Sequence, residues 1–374
     1  MKEDLLFACE WGENREKTWS GTPNGLFTSL SKKIDIMEFN VPKPTLVQRI
    51  HDKFVYKGII PSDYGALKLK MQNKNFSKIE NQFKGRTFLQ FSEYPMSKNI
   101  YPYLFLDLSV GYIEWLIKND PDKLKYTWFK NANLETISSR SLMQQEAFEK
   151  CAGIFTMGRW LKDFIVDKQH ISSEKVHVVG GGINLDASKI DYSKKKGNKI
   201  LFVGRDFERK GGPLLLKAFA LLKKEMPDAE LYLAGPSSDP CKELLPGYHY
   251  LSDLPQEKLY QYFNLCDIFC MPSYMEAYGL VFAEALCYGL PCVARSEYAM
   301  KDFIKHGENG FLISEDSPEE LMYYLKKAFE SKHIIEKLKD DKEKYLKEYS
   351  WDTVAERIIK VFENDEKSRN SYNN

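Results

Sequence analysis

Short apolar runs of about five residues alternate along this chain with longer stretches whose apolar positions recur every three or four residues. The first pattern predicts buried strands and the second amphipathic helices. Their alternation predicts parallel sheets covered by helices on both faces. The alternation runs twice. In the first half, residues 5–9, 34–39, 87–91, 103–107, 153–156 and 176–179 read as strands, and 25–33 and 144–151 as helices. Residues 40–85 give no clean period: they hold Pro42, Pro44, Pro61 and a Lys/Asn-rich stretch near 74–78. The second half is cleaner, with strands at 199–203, 230–234, 267–271 and 291–294. Its helices are predicted at 213–226, 256–265, 280–288 and 317–329, with more helix out to the C-terminus. Two doubly wound α/β domains follow from this pattern. The join is predicted near Gly180-Gly181-Gly182 and the Lys-rich stretch 194–199, where three glycines after a strand suit a hinge.

Composition narrows the function classes. The chain has 374 residues, 54 Lys+Arg against 53 Asp+Glu, 43% hydrophobic and 14% aromatic residues. That is not a disordered chain. No apolar run reaches the roughly 18 residues needed to span a membrane, and only about six apolar residues follow Met1–Asp4, too few for a secretion signal. Without a basic excess, nucleic acid is not expected as the main partner. Residues 1–185 hold 26 basic against 21 acidic side chains and the remainder 28 against 32. The basic first half suits an anionic surface or substrate, and equally ordinary lysine decoration. Seven cysteines, an odd number with no C-x-x-C, point to a reducing compartment. The six histidines form no close metal pair.

Two strand–loop–helix units in the second half carry the chemistry. The first runs from Leu201 through Gly204-Arg205 to Lys210-Gly211-Gly212-Pro213. Ligands of open α/β sheets bind beyond the carboxyl ends of the strands. There an Arg fork, a Lys point charge and glycines that let amides approach suit a diphosphate, though a solvated turn has the same look. The second unit is Pro272-Ser273-Tyr274-Met275-Glu276-Ala277-Tyr278-Gly279-Leu280, followed by an apolar helix that contains Glu284. A carboxylate among apolar residues needs donors. Ribose hydroxyls could supply them, as could a nearby lysine or exposure to solvent.

This ordered set resembles the retaining glycosyltransferases of family 4. So do Leu233-Ala234-Gly235-Pro236, Tyr288–Ala294, Gly307–Leu312 and Ser350–Ala355, and the likeness is nearly continuous over 155–362. The resemblance implies the GT-B architecture, two Rossmann-like domains facing a central cleft. It assigns 1–182 to the acceptor, 183–350 to the nucleotide-sugar donor, and 351–374 to a helix crossing back to the first domain. It also implies site roles. Arg205 and Lys210 would hold the donor diphosphate and offset charge on the leaving group. Glu276 would contact the transferred sugar, and the amides of Ala277, Tyr278, Gly279 and Leu280 would cap the donor. Glu284 would bind the ribose, and the base would lie near Tyr250 and Leu251. Arg205 and Lys210 would stand where a divalent metal is otherwise needed, so neither a metal nor another cofactor is expected.

The first half resembles the family less. Gly21, in the loop Thr18–Gly25, is a candidate for approach to donor phosphate or acceptor. Many family members place a histidine on the first domain facing the donor sugar. This chain has none between His51 and His170, and Asp107 looks like a substitute. Glu93 is a weaker acceptor-side candidate. Arg159 and Trp160 begin a helix after a strand, with a surface role for Arg159 as the competing reading. The resulting expectation is an enzyme that moves a hexose-type sugar, with retention, from a nucleotide diphosphate sugar to a glycan or lipid-linked acceptor. Its setting would be surface polysaccharide or glycolipid assembly in the cytoplasm, with peripheral contact at the inner membrane face allowed. A phosphorylase of the same fold and a glycan-binding pseudoenzyme are the alternatives.

Overall fold

The computed structural model describes residues 5–41, 45–56, 86–91, 102–184, 186–193 and 197–372, with a few positions between 67 and 83. Glu93, Pro42, Pro44, Pro61 and most of the 57–85 stretch lie outside the described residues. The chain divides into two compact units, 1–182 with 351–374, and 183–350.

The first unit is built on a six-stranded parallel sheet. Its strands are β1 (Leu5–Cys9), β2 (Ile36–Asn40), β3 (Thr87–Phe91), β4 (Tyr103–Leu106), β5 (Gly153–Thr156) and β6 (Val176–Val178), in the spatial order β2-β1-β3-β4-β5-β6. In register, Leu5 stands between Ile36 and Thr87, Leu89 pairs with Tyr103, and Tyr103 with Gly153. Every residue of β1, β4 and β5 is buried, as a sheet covered on both faces requires.

The last helix, Trp351–Tyr372, packs on this unit. Phe362 sits against the rings of Tyr103 and Phe155, Tyr103 donates its hydroxyl to Asp365, and Arg357 donates to the carbonyl of Val179 at 3.1 Å. The Trp351 indole fills a space that only glycines leave open. A Cβ on Gly25 would stand 2.2 Å from its ring, and one on Gly182 2.5 Å.

The second unit repeats the plan with β7 (Lys199–Val203), β8 (Glu230–Ala234), β9 (Tyr248–Tyr250), β10 (Ile268–Cys270), β11 (Cys292–Arg295) and β12 (Gly310–Ile313). All pairings are parallel, in the order β12-β11-β10-β7-β8-β9. From β7 the chain first winds outward through β8 and β9, then returns to lay β10, β11 and β12 on the other side. The winding therefore reverses between β7 and β10, the position at which open α/β sheets bind ligands beyond the carboxyl ends of their strands.

Several elements differ from the sequence reading. The helix expected at 25–33 spans Thr22–Leu30, because Pro23 occupies its first turn and Gly21 provides a left-handed N-cap with φ 85°. Gly25 serves packing rather than helix initiation. The helix expected at 144–151 is the tail of Leu134–Lys150, whose buried face includes Ser141 and Gln144 and so lacks an apolar period. The helix Val110–Asn119 and the strands β9 and β12 had no strong signal; β9 is only three residues, with His249 exposed at its centre.

Candidate active site

The candidate residues of the second unit gather where its sheet reverses. After β7, Gly204 is the point at which the chain must pass close to its neighbours. A Cβ there would stand 2.9 Å from Cγ of Lys210, so glycine makes room for the lysine stem. The turn closes at Gly211, with φ 75°, where a Cβ would come within 2.2 Å of the Pro272 carbonyl oxygen. The β7 turn is thus seated on the segment that follows β10. From Gly211 the helix Gly212–Glu225 starts without a side-chain cap.

This seating brings two charged residues from distant parts of the sequence together. Lys210 Nζ donates to Glu276 Oε2, and the two side chains are 12% and 10% exposed. Arg209 joins them. Its Nη1 donates to the Met275 carbonyl at 2.8 Å and lies 3.9 Å from Glu276 Oε2, while its Nε donates to Asp206 at 3.0 Å. Burial pushes the Lys210 ammonium below its ordinary pKa, against the opposing pull of Glu276 and with the repulsion of Arg209 added. A carboxylate between two cations, largely out of water, gains strongly from Coulomb attraction, which offsets the cost of burying the charges.

The Glu276 segment runs into the helix Leu280–Cys287 through Gly279, whose φ is 92°. No side chain caps this helix, so its first amides and the positive end of its dipole lie open at the end of the loop that leaves β10. Ala277 and Tyr278 are buried in the approach, the Tyr278 ring edge-on to Phe303 at 4.9 Å. One turn into the helix, Glu284 is partly buried among apolar neighbours. No hydrogen bond or ion pair reaches its carboxyl among the described residues, and burial pushes its pKa up to about 7. A carboxyl in that state has capacity for donors that the protein does not supply.

The remaining candidates are more scattered. Arg205 is 81% exposed at the rim, its Nε bonded to Asp253 at 3.0 Å, and it makes no contact with the Lys210–Glu276 pair. The Tyr250 hydroxyl donates to the Pro236 carbonyl at 2.7 Å, and the Leu251 amide donates to Leu233 at 2.9 Å, so both groups shape the β8–β9 edge. In the first unit, Asp107 immediately follows β4, at the carboxyl edge of its sheet. Gly21 ends a left-handed run with Trp19 (φ 46°) and Ser20 (φ 55°), beyond the carboxyl end of β1. Arg159 is exposed, whereas Trp160 packs onto the core and against Tyr112. The chain also contains one Asp-x-Asp that the sequence reading did not single out: Asp120 precedes and Asp122 lies within the four-residue helix Pro121–Leu124, with Asp120 facing Lys123 at 3.5 Å. Among the described residues, no group of three or more His, Cys, Asp or Glu side chains is placed to hold a metal ion.

Arg209 escaped the sequence reading. It stands in the charged run Glu208-Arg209-Lys210, where adjacent charges look alike until burial separates them. The signal it does carry is its i,i+3 spacing from Asp206, the partner that orients its guanidinium.

Residues 186–345 match the family model for glycosyl transferases group 1. A D-inositol 3-phosphate glycosyltransferase of Jonesia denitrificans is 26% identical over 218 residues, 51% of this chain and 51% of that protein. The chain spans about half to three-fifths of the length of curated relatives that it matches. WaaG, a glycosyltransferase involved in lipopolysaccharide biosynthesis, superposes with a TM-score of 0.63 at 15% identity, over 96% of this chain and 99% of its own. HepE of Anabaena, solved with UDP and glucose, gives 0.62 at 12% identity, over 96% and 99%. The chain has the GT-B fold of two Rossmann-like units, and its residues 186–345 are similar to the group 1 glycosyl transferases.

Proposed function

We propose that this protein transfers a hexose-type sugar, with retention at the anomeric carbon, from a nucleoside diphosphate sugar to a glycan or lipid-linked acceptor. The observation that carries the reading is the Lys210–Glu276 pair, joined across the loops after β7 and β10 where the second sheet reverses, with the helix that holds Glu284 following from it; among the described residues the Glu284 carboxyl has no partner. In this reading the donor diphosphate draws Lys210 from Glu276 and takes up the uncapped amides at Gly279 and Leu280, with Arg205 reaching it from the rim. Glu276, released, accepts hydrogen bonds from the sugar, while Glu284 accepts them from the ribose. Asp107 and Gly21 are the first unit's contributions to sugar and acceptor.

The bond from the anomeric carbon to the phosphate oxygen breaks, and a bond to the acceptor oxygen forms on the same face. The acceptor proton passes to the departing phosphate. The residues hold the partners in reach and stabilise the charge gathering on the leaving group. Assembly of a surface polysaccharide or glycolipid is the process that the relatives favour, and it suits a cytoplasmic protein with peripheral membrane contact. No described helix is long and apolar enough to cross a membrane.

The test is a thermal-shift panel of UDP, GDP, ADP and dTDP, with and without magnesium. One nucleotide raising the melting temperature of the wild type, and failing to raise that of Glu284→Ala, is the expected result. UDP comes first because HepE was solved with it. No shift with any nucleotide, but a shift with inorganic phosphate or free glycan, would replace this reading with a phosphorylase or a glycan-binding module.

A further inference from the structure

We propose that Tyr274, Arg295 and Asp316 form a clamp that positions Glu276 and so sets the turnover of the site. The kinetic half rests on the transferase reading above; the structural half does not. Tyr274 lies two residues before Glu276, in the segment leaving β10. Its amide donates to the Arg209 carbonyl at 2.9 Å, which ties it to the β7 turn. Its hydroxyl points the other way and donates to the Asp316 carboxylate, 2.7 Å from Oδ1 and 3.0 Å from Oδ2.

Arg295 closes the arrangement. Its Nη2 donates to Asp316 Oδ1 at 2.9 Å, and its guanidinium carbon stands 4.3 Å from the centroid of the Tyr274 ring. Main chain, ring face and hydroxyl of Tyr274 are therefore each fixed by a different partner. Arg295 is the last residue of β11, and Asp316 follows β12. Three neighbouring strand ends, β10, β11 and β12, thus each supply one member.

The interior position of Arg295 argues that the clamp is more than a surface ion pair. Its side chain is 8% exposed and its Nε finds no partner among the described residues, whereas Asp316 is 58% exposed. A buried guanidinium with an orphaned donor is costly, and an apolar residue would fill β11 without that cost. What the arginine provides is a rigid planar surface and a fork that register Tyr274 against Asp316. On the near side, Ser273 Oγ lies 3.0 Å from the Met275 carbonyl, which also accepts from Arg209. Residues 273, 274 and 275 are all held, and Glu276 is the next residue along. Errors of about 1 Å in a group that contacts the reacting sugar can lower rate by roughly a hundredfold.

Two variants test this in the full chain. Tyr274→Phe keeps the ring and removes the hydroxyl; Asp316→Asn removes the charge from an exposed position. Hydrogen–deuterium exchange over 272–279 is expected to be about tenfold faster in both, with 199–203 unchanged. In the transfer assay, Tyr274→Phe is expected to lower kcat about tenfold while the Kd for UDP stays within about twofold, and Asp316→Glu is expected to recover part of what Asp316→Asn loses. Unchanged exchange over 272–279 in both variants overturns the clamp, whatever the activity. Faster exchange with wild-type kcat overturns its role in positioning Glu276. A wild-type chain that transfers nothing, with faster exchange in the variants, keeps the clamp and sinks the transferase reading instead.

Discussion

Lys210 and Glu276 neutralise each other, so an anionic ligand that binds at Lys210 has to compete with a carboxylate already in place. Glu284 is the opposite case, a carboxyl with no partner among the described residues and a pKa pushed up to about 7 by burial. Because that value lies above the ordinary 4.5, the folded state holds its proton more firmly than the unfolded state does. Its favourable contribution is complete below about pH 4.5 and is lost as pH rises through about 7. Glu284→Gln should therefore melt higher than wild type at pH 8, with the gap closing toward pH 4.5, while binding the nucleotide about tenfold more weakly. Equal melting temperatures at both pH values would contradict the burial argument. Glu284 was visible in the sequence because it interrupts an apolar helix, whereas Glu276, in a loop, was singled out only by the family resemblance. Arg209 was not visible, because what separates it from the exposed Arg205 is burial against a segment some 66 residues away, which no local pattern encodes.

At the scale of elements, the strands were the most legible because a parallel sheet buried on both faces demands unbroken apolar runs. β1, β3, β5, β7 and β8 begin and end at the residues the pattern gives. Helices whose buried face uses Ser or Gln, such as Leu134–Lys150, were only half visible. Loops were read for their residue types but not for their mutual fit. Gly211 shows the difference: its sequence context suggests approach to phosphate, whereas its structure adds a carbonyl from the other loop 2.2 Å from where a Cβ would stand. Gly211→Ala combines a left-handed backbone with that overlap. It should destabilise the second unit by about 2–4 kcal/mol, read as a lower urea midpoint at constant slope. An unchanged midpoint would mean that the two loops separate freely.

At the scale of the molecule, the first unit is made from two pieces of chain separated by the whole of the second. Trp351 opens the later piece, seated against Gly25 and Gly182, ahead of the contacts that Arg357, Phe362 and Asp365 make further along the helix. Trp351→Ala should cost the first unit about 3–5 kcal/mol and leave the second unit's unfolding transition in place. A shift of both transitions together would show that the units unfold as one.

The same discontinuity has a consequence during synthesis. Residues 183–350 form a continuous piece that can close as soon as it leaves the ribosome, whereas the earlier 182 residues must wait for the helix Trp351–Tyr372. At ~5–20 residues per second the delay is roughly 10–40 s. During that interval the apolar surface around Tyr103 and Phe155 that Phe362 later covers stands open to chaperones, so the part of the protein translated first is the part completed last.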